Sequence, residues 1–240
     1  MPAHETRFLS REQIAEGTMA FRFAKPAGFN FRAGQSMIVT LLDPPETDAK
    51  GNQRSFSIAS APAEADLAIA TRMRDTAFKR VLKAMPEGTR VQIRGPAGSF
   101  VLDEGERRPA VFIAGGIGIT PFVSMLRQSA IEPLERKLYL LYSNRRPEDA
   151  AFMRELMALE QRNSNYRIVV TMSGTEEARE SWNGERGRID KAMLERTLVD
   201  LLVPVYYVAG PPAMLEAMQG PLAGAGVKTE DIRCDEFFGY

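Results

Sequence analysis

The pattern of apolar and polar positions divides the chain into two unlike halves. Residues 7–103 carry short runs rich in β-branched and aromatic residues, and the breaks between them contain proline, glycine and asparagine. The runs are TMAFRFA, SMIVTLL, FSIAS, LAIATRM and TRVQIRG. Many short strands with regular turn signals are typical of an antiparallel sandwich or barrel. One helix is predicted inside this half, over residues 76–85, because its apolar residues follow helical spacing.

From about Arg108 the pattern changes to alternating strands and helices. The predicted strands are PAVFIAG, KLYLLYS, YRIVVTMS, PVYYVAG and IRCDEFF, and the predicted helices cover residues 121–130, 147–162, 190–200 and 211–225. Near-continuous apolar strands are expected where helices cover both faces of a parallel sheet. A charged segment, residues 103–109, connects the halves. We therefore expect two domains, residues 1–104 and residues 108–240.

Composition and charge exclude several classes of function. The 240 residues include 31 basic and 31 acidic side chains with no long basic run, which gives nucleic acid no electrostatic footprint. No stretch approaches the roughly 18 apolar residues of a membrane span, and the N-terminus lacks the apolar core of a signal peptide. A cytoplasmic location is therefore expected.

The chain has one cysteine, Cys234, and one histidine, His4. These are too few ligands for a cysteine-bound iron–sulfur cluster or a Cys/His zinc site, so no metal is expected. We expect His4 near a frayed terminus and Cys234 as a small buried residue of the last strand. Redox chemistry in this chain would need an organic cofactor.

The motif GGIGITPF, residues 115–122, directly follows the strand PAVFIA. Its glycines let backbone N–H groups approach a ligand, and the N-terminus of the next helix favours a phosphate or diphosphate there. Thr120 can cap that helix and Pro121 suits its first position. Because Pro121 stands where a third glycine would be, the motif is not the G-x-G-x-x-G fingerprint. A tight strand-to-helix turn is the alternative interpretation.

Two motifs of the first half combine charged, flat and hydroxyl side chains. In RSFSIAS, residues 54–60, Arg54 offers a permanent charge for a phosphate and Phe56 offers a flat apolar face on the same side of the strand. In TRMRDTAFKR, residues 71–80, two arginines precede Thr76, the expected cap of the inner helix, which predicts an anion site. The alternatives are a half-buried edge strand and a solvated charged turn.

The segment SNRR, residues 143–146, ends the second predicted strand of the α/β half. This position meets the adenosine ribose in doubly wound folds, where an acid suits a free 2′-hydroxyl and an arginine suits a 2′-phosphate. The segment therefore favours NADPH over NADH. In the opposing interpretation both arginines are solvated and Glu148 or Asp149 holds the ribose.

Two further motifs are GPAGSF at residues 95–100 and AGPPAM at residues 209–214. With RSFS and GGIGITPF, they follow the order in which one protein family carries its motifs. The chain resembles the ferredoxin–NADP(H) reductase-like flavoprotein superfamily over residues 7–240. RSFS is similar to its flavin motif Arg-x-Tyr/Phe-Ser, and GGIGITPF is similar to its pyridine-nucleotide loop. The resemblance implies a six-stranded antiparallel flavin-binding barrel followed by a five-stranded parallel Rossmann-like nucleotide domain.

The resemblance also implies roles for single residues. Flavin contacts are implied for Arg54, Ser55, Phe56, Ser57, Arg72, Arg74 and Thr76. Nucleotide contacts are implied for Gly115, Gly116, Gly118, Thr120, Pro121, Ser143, Arg145, Arg146, Gly210, Pro211 and Met214. Ser57 and Glu236 are the expected catalytic residues, the latter as the C-terminal acid near the nicotinamide. Phe238 and Tyr240 are candidates for a ring covering the flavin or the adenine.

The implied function is an NAD(P)H oxidoreductase that passes electrons through FAD to a separate acceptor, such as ferredoxin, flavodoxin or an oxygenase component. FMN in place of FAD stays open. Ala209 replaces a cysteine that often lies by the nicotinamide in the family. One alternative is therefore a flavin-binding electron-transfer or sensing subunit without efficient hydride transfer. Another is a non-flavin sugar or nucleotide enzyme, which would make RSFSIAS and GPAGSF coincidences.

Overall fold

A computed structural model describes residues 2–103 and 105–237. The first half of the chain forms an antiparallel sheet of β1 (Ala3–Ala15), β2 (Thr18–Ala24), β3 (Ser36–Leu41), β4 (Gln53–Ser57), β5 (Asp66–Arg72) and β6 (Arg90–Ala97). These six strands follow the order β4-β3-β6-β1-β2-β5. Just beyond β4, the Ala59 N–H donates to the Ala68 carbonyl of β5 at 2.7 Å, which brings the two edge strands together. The expected antiparallel barrel is confirmed.

Strand β1 was not predicted, and it corrects the expectation of a frayed N-terminus. Its first part pairs with β6, where His4 lies opposite Ile93, and its second part pairs with β2. The His4 ring also packs edge-on against Phe29, with ring centroids 5.6 Å apart. The charged residues of this strand hide its alternation, and pairing on both sides holds it in place.

The barrel core is apolar, and one helix, α1 (Ala77–Ala84), packs one side against it and exposes the other. Phe78 and Leu82 of α1 pack among aromatic and β-branched residues of the strands, including Phe8, Phe21, Phe23, Val39, Ile69 and Ile93. The helix begins after Thr76, whose hydroxyl accepts a hydrogen bond from the Lys79 N–H at 3.3 Å. The predicted inner helix and its cap are therefore confirmed.

The second half forms a parallel sheet of β7 (Ala110–Gly115), β8 (Leu138–Asn144), β9 (Tyr166–Met172), β10 (Glu185–Arg186), β11 (Val205–Gly210) and β12 (Ile232–Glu236). The strand order is β10-β9-β8-β7-β11-β12. The five predicted strands are present, and the two-residue β10 adds a sixth at one edge. Both residues of β10 are exposed and charged, so no apolar pattern marked it.

Helices cover both faces of this sheet: α2 (Thr120–Ile131), α3 (Met153–Glu160), α4 (Lys191–Thr197) and α5 (Pro212–Gly224). Alternate strand residues pack against α2 and α3 on one face and against α4 and α5 on the other. The predicted helix over residues 147–162 is wrong in its first part. A short 3₁₀ turn, Pro147–Asp149, comes first, and Phe152 with φ 59° interrupts the helical path before α3. Within the described residues, no helix has the length and apolar character needed to cross a membrane.

Candidate functional site

Two cavities lie at the strand ends where the domains meet. The first, here called the serine cavity, has a volume of about 480 Å³ and is lined by Gly34, Ser36, Ser55, Phe56, Ser57, Ala97, Gly98, Ser99, Phe100, Cys234, Asp235, Glu236 and Phe237. The second, called the arginine cavity, has a volume of about 360 Å³ and includes Arg72, Gly115, Gly116, Ser143, Arg145, Arg188, Pro211 and Met214. Phe237 lines both cavities, so the two cavities are adjacent.

Arg54 and Phe56 lie on one face of β4 and point toward α1. The Arg54 guanidinium carbon stands 5.1 Å from the Phe78 ring centroid, and the Phe56 and Phe78 centroids are 5.9 Å apart. Arg54 Nη2 donates to Asp48 Oδ1 at 2.8 Å, and its Nη1 donates to nearby backbone carbonyls. The guanidinium is therefore held in one orientation at the N-terminal end of α1.

The N-terminus of α1 is surrounded by more cations than anions. Burial, followed by the charges of Arg74, Arg54 and Lys50, lowers the pKa of Lys79 to about 8. Asp48 accepts hydrogen bonds from Arg54 and from the Lys50 N–H. Two further carboxylates of this region, Glu46 and Asp75, pair with Arg80 of α1. Burial and the neighbouring positive charges both disfavour the protonated lysine, and a group of cations beside a helix N-terminus fits a phosphate or diphosphate.

Arg72, at the end of β5, links the barrel to the glycine-rich loop after β7. A Cβ atom added to Gly116 would lie 3.0 Å from Arg72 Nη2, so the guanidinium packs directly on the loop backbone. Gly116 has φ 54°, a conformation that other residues adopt only with strain. Arg74 is exposed two residues further on. The two arginines therefore lie in different places: Arg72 lines the arginine cavity, and Arg74 lies near Lys79.

The glycine-rich segment 115–118 runs from β7 into a 3₁₀ turn, Gly116–Ile119, which continues into α2. The Thr120 hydroxyl donates to the Ile117 carbonyl at 3.1 Å and caps no backbone N–H group. Pro121 is the second residue of α2. The expectation of a Thr120 cap with Pro121 at the first position is therefore corrected, because the helical path already begins at Gly116.

The predicted second turn packs against this loop. A Cβ at Gly115 would lie 2.3 Å from the Met214 sulfur, and one at Gly118 would lie 2.4 Å from the Ala209 carbonyl oxygen. Gly210 and Pro211 stand between these contacts, and Pro211 precedes α5. Gly115 and Gly118 thus allow two strand-end turns to touch, which places both turns at one wall of the arginine cavity.

Most residues of the SNRR segment line the arginine cavity, and one points away from it. Ser143 and Arg145 line it, together with Ser173 and Arg188, which the sequence reasoning missed. The Arg145 side chain is 69% exposed and lies 3.3 Å from a Glu177 carboxylate oxygen. Arg188 lies near the two-residue β10, in a stretch without an apolar pattern, so only its positive charge could have signalled it.

Arg146 points away from this cavity. Its guanidinium binds the Asp149 carboxylate through Nε at 3.0 Å and Nη2 at 2.8 Å, and it approaches Glu16 at 3.5 Å. The Glu16 N–H also donates to the Glu148 carbonyl at 2.7 Å, which connects the β1–β2 turn to the second half of the chain. Arg146 is therefore placed to join the domains, and Arg145 is placed to meet a ligand.

Asn144 is a further residue that the sequence reasoning missed. It lines the arginine cavity, it is 4% exposed, and neither side-chain polar atom has a hydrogen-bond partner of standard geometry among the described residues. Burial raises the pKa of Tyr142, and the neighbouring Asn144 amide offsets part of this shift. The Tyr142 hydroxyl donates to Ala151 at 3.2 Å, so its proton does not satisfy the amide oxygen of Asn144.

The C-terminal strand brings Glu236 into the serine cavity, where Ser57 also lies. Ser57 is 8% exposed and ends β4, whereas Glu236 is exposed at the end of β12. Cys234 is exposed and lines the same cavity, which corrects the expectation of a buried residue. The reason is that β12 is an edge strand, so helices do not cover all of its side chains. The predicted ring residues Phe238 and Tyr240 lie outside the described residues.

A third, wider groove of about 930 Å³ lies between β1, β2 and α3. Its walls carry both signs of charge, and none of the motif residues predicted for a ligand lines it. Of the predicted ligand residues, Ser55, Phe56, Ser57 and Glu236 line the serine cavity, and Arg72, Gly115, Gly116, Ser143, Arg145, Pro211 and Met214 line the arginine cavity. The others that the structure describes line neither: Arg54, Arg74, Thr76, Gly118, Thr120, Pro121, Arg146 and Gly210.

An antiparallel barrel joined to a parallel sheet, with its cavities at the strand ends between them, defines a two-domain nucleotide-binding fold. The family described as oxidoreductase NAD-binding domain matches residues 112–220. Ferredoxin–NADP reductase B of Sorangium cellulosum is 34% identical over 174 residues, which cover 71% of this chain and 68% of that protein. The chain belongs to the ferredoxin–NADP(H) reductase-like flavoprotein superfamily.

Other relatives agree with this assignment. The glycine betaine monooxygenase reductase subunit of Chromohalobacter salexigens is 28% identical over 222 residues, covering 87% of this chain and 56% of that protein. The chain thus spans little more than half the length of that relative. A ferredoxin NADP⁺ reductase structure from Neisseria gonorrhoeae has a TM-score of 0.82 at 20% identity and covers 98% of this chain and 99% of that one. This last likeness concerns the fold.

Proposed function

We propose that the protein is a flavin-dependent NAD(P)H oxidoreductase that passes electrons from NAD(P)H through FAD to a separate acceptor. The observation that carries the proposal is the position of Phe237, which lines the serine cavity and the arginine cavity at once. A flavin ring in the first and a nicotinamide reaching from the second would meet at this side chain. The names of the relatives support the same class of reaction.

The residues present fit FAD. Burial, followed by the charges of Arg74, Arg54 and Lys50, lowers the pKa of Lys79 to about 8. This group of cations at the start of α1 suits a diphosphate. The serine cavity is lined by Ser55, Phe56 and Ser57, with the two hydroxyls on one face of β4 and the Phe56 ring packed against Phe78 on the other. We propose that Arg54, Arg74 and Thr76 hold the diphosphate and that Ser55, Phe56 and Ser57 hold the ring.

When bound, FAD supplies the redox chemistry, since it accepts hydride and returns electrons singly or in pairs. The protein's own part is placement. Ser57 at the end of β4 and Glu236 at the end of β12 line the same cavity, to which they bring a hydroxyl and a carboxylate. Because two reactants held in one orientation react far faster than free ones, we propose these two residues as the catalytic pair.

For the nucleotide we propose Gly115, Gly116 and Gly118 with Thr120 and Pro121 at the diphosphate, and Gly210, Pro211 and Met214 at the second turn. We propose NADPH as the preferred nucleotide. Two arginines and two serines, Arg145, Arg188, Ser143 and Ser173, line one cavity, and guanidinium groups suit the fork-like contacts of a 2′-phosphate. Arg146, committed to Asp149, is left out of this proposal.

The acceptor would be a small redox protein or an oxygenase component, as the names of several relatives suggest. We propose a cytoplasmic location for the reaction. The proposed domains are residues 1–104 for FAD and residues 108–240 for the nucleotide, and they share the described contacts at Arg72 and Phe237.

One experiment tests this function. The purified protein is expected to be yellow with about one flavin per chain, and the flavin released by denaturation is identified as FAD or FMN. Anaerobic mixing with NADPH in a stopped-flow instrument should then bleach the flavin absorbance. A colourless protein that takes up neither flavin would refute the proposal, whereas a flavin that NADPH and NADH fail to reduce would favour an electron-transfer or sensing subunit.

A further inference from the structure

Helix α2 contacts two chain segments, one beside the arginine cavity and one beside the serine cavity. It continues directly from the 3₁₀ turn that contains Gly116, and one of its faces meets the backbone that follows Ser57. Three polar residues of that face, Ser124, Arg127 and Gln128, stand at helical spacing i, i+3 and i+4. Each makes a hydrogen bond with a different residue of the segment 59–63.

Ser124 makes the innermost of these contacts. It is fully buried, and its hydroxyl donates to the Ser60 carbonyl at 2.7 Å. The Ser60 hydroxyl in turn accepts from the Ala68 N–H of β5 at 3.0 Å. Ser60 is thus held by the nucleotide domain on one side and by the barrel on the other.

Arg127 and Gln128 extend the contact along the segment. Arg127 Nη1 donates to the Ala59 carbonyl at 3.1 Å, while its Nε and Nη2 bind both oxygens of Glu155 on α3 at 2.6 and 2.8 Å. The Gln128 side-chain oxygen accepts from the Ala63 N–H at 3.2 Å. The two-pronged bond to Glu155 fixes the guanidinium, so the contact to Ala59 has a defined direction.

We propose that Ser124, Arg127 and Gln128 form a brace, and that they are positioning residues for the reaction between nucleotide and flavin. The brace connects the loop at Gly116 with the strand end at Ser57 through one rigid helix. Apolar packing alone would join the domains, but these three bonds set where the Ser57 strand end lies relative to the glycine loop. The inference rests on the proposed function, because it assigns the brace to that reaction.

The central variant is Ser124→Ala, which removes the donor to the Ser60 carbonyl and little else. We expect the rate constant of flavin reduction by NADPH to fall by roughly tenfold, since a misplacement of about 1 Å can cost a hundredfold. Flavin content and the dissociation constant of NADP⁺ should stay within about twofold, because the brace touches neither proposed binding surface. Ser124→Thr, which keeps the hydroxyl, should restore most of the rate.

Ser129→Ala is the matched control. Ser129 lies on the same helix and is 3% exposed, but its hydroxyl donates to the Leu126 carbonyl of its own helix at 2.9 Å. Gln128→Ala, at a more exposed position, serves as a milder variant if Ser124→Ala folds poorly. We expect a reduced rate in Gln128→Ala and an unchanged rate in Ser129→Ala.

Hydrogen–deuterium exchange of the flavin-free protein gives a readout independent of activity. Amides of residues 58–68 should exchange faster in Ser124→Ala than in the wild type, and at the wild-type rate in Ser129→Ala. The proposal would be overturned by an unchanged rate of flavin reduction in Ser124→Ala, or by an equal loss of that rate in Ser129→Ala. Neither outcome resembles failure of the proposed function, in which the wild type itself would show no flavin reduction.

Discussion

Replacing Arg145 by alanine should narrow the preference for NADPH over NADH, whereas replacing its neighbour Arg146 should not. The two arginines are adjacent in sequence and identical in chemistry, but only Arg145 lines the arginine cavity. Arg146 is bound through two nitrogens to Asp149. Arg145→Ala is therefore the test substitution, and Arg146→Ala is its matched control.

The expected size of the effect follows from the exposure of Arg145. A hydrogen bond to a charged group contributes about 1.5–3 kcal/mol. The Arg145 side chain is 69% exposed and lies 3.3 Å from a Glu177 carboxylate oxygen. Solvent and this carboxylate therefore reduce the free energy that Arg145 contributes to binding a phosphate. We therefore expect Arg145→Ala to lose about 1–1.4 kcal/mol of transition-state stabilisation, which is a loss of about five- to tenfold in kcat/KM for NADPH. The loss should be larger when Arg188 is replaced as well.

The assay is the steady-state kcat/KM for NADPH and for NADH in the wild type, Arg145→Ala, Arg188→Ala and Arg146→Ala. The value for NADH should hardly change in the first two variants, because NADH has no 2′-phosphate for them to contact. Equal narrowing of the preference by Arg145→Ala and Arg146→Ala would refute the reasoning. A wild type that uses NADH better would refute it as well.

Three further predictions concern the flavin. Arg54→Ala should weaken flavin binding by one to two decades, since a charge-assisted phosphate contact contributes about 1.5–3 kcal/mol, and unchanged retention during gel filtration would remove Arg54 from the site. Because only the protonated Lys79 attracts a phosphate and its pKa lies at about 8, flavin affinity should fall as pH rises through 8. Titrations at several pH values check this, and Lys79→Met should lose that dependence. Glu236→Gln should slow flavin reduction in stopped flow more than it weakens nucleotide binding, and equal losses in both would place Glu236 away from the reacting atoms.

Local motifs made much of this fold predictable. The inner helix and its Thr76 cap follow from apolar spacing and one hydroxyl, and both are decided within about ten residues of chain. The parallel strands were predictable because burial on both faces gives continuous apolar runs. In these elements the local pattern and the tertiary packing demand the same structure.

The errors occurred where tertiary contacts decide the outcome. Strand β1 has a weak pattern, and its pairing with β2 and β6 comes from residues up to about ninety positions away. Phe152 breaks the predicted helix with φ 59°, although its sequence neighbours favour a helix. Arg146 is held by two hydrogen bonds to Asp149 and lies 3.5 Å from Glu16 of the barrel, and neither partner belongs to SNRR.

The candidate site itself shows the same division. Each motif was recognisable as a short segment, but the site consists of the distances between segments that lie far apart in the chain. Arg72 of the barrel packs on Gly116 of the nucleotide domain, and Phe237 lines both cavities. The hydrogen bonds of Ser124 and Arg127 to the backbone after Ser57 hold these segments in that arrangement. Residues outside every recognised motif therefore set the geometry in which the motif residues would act.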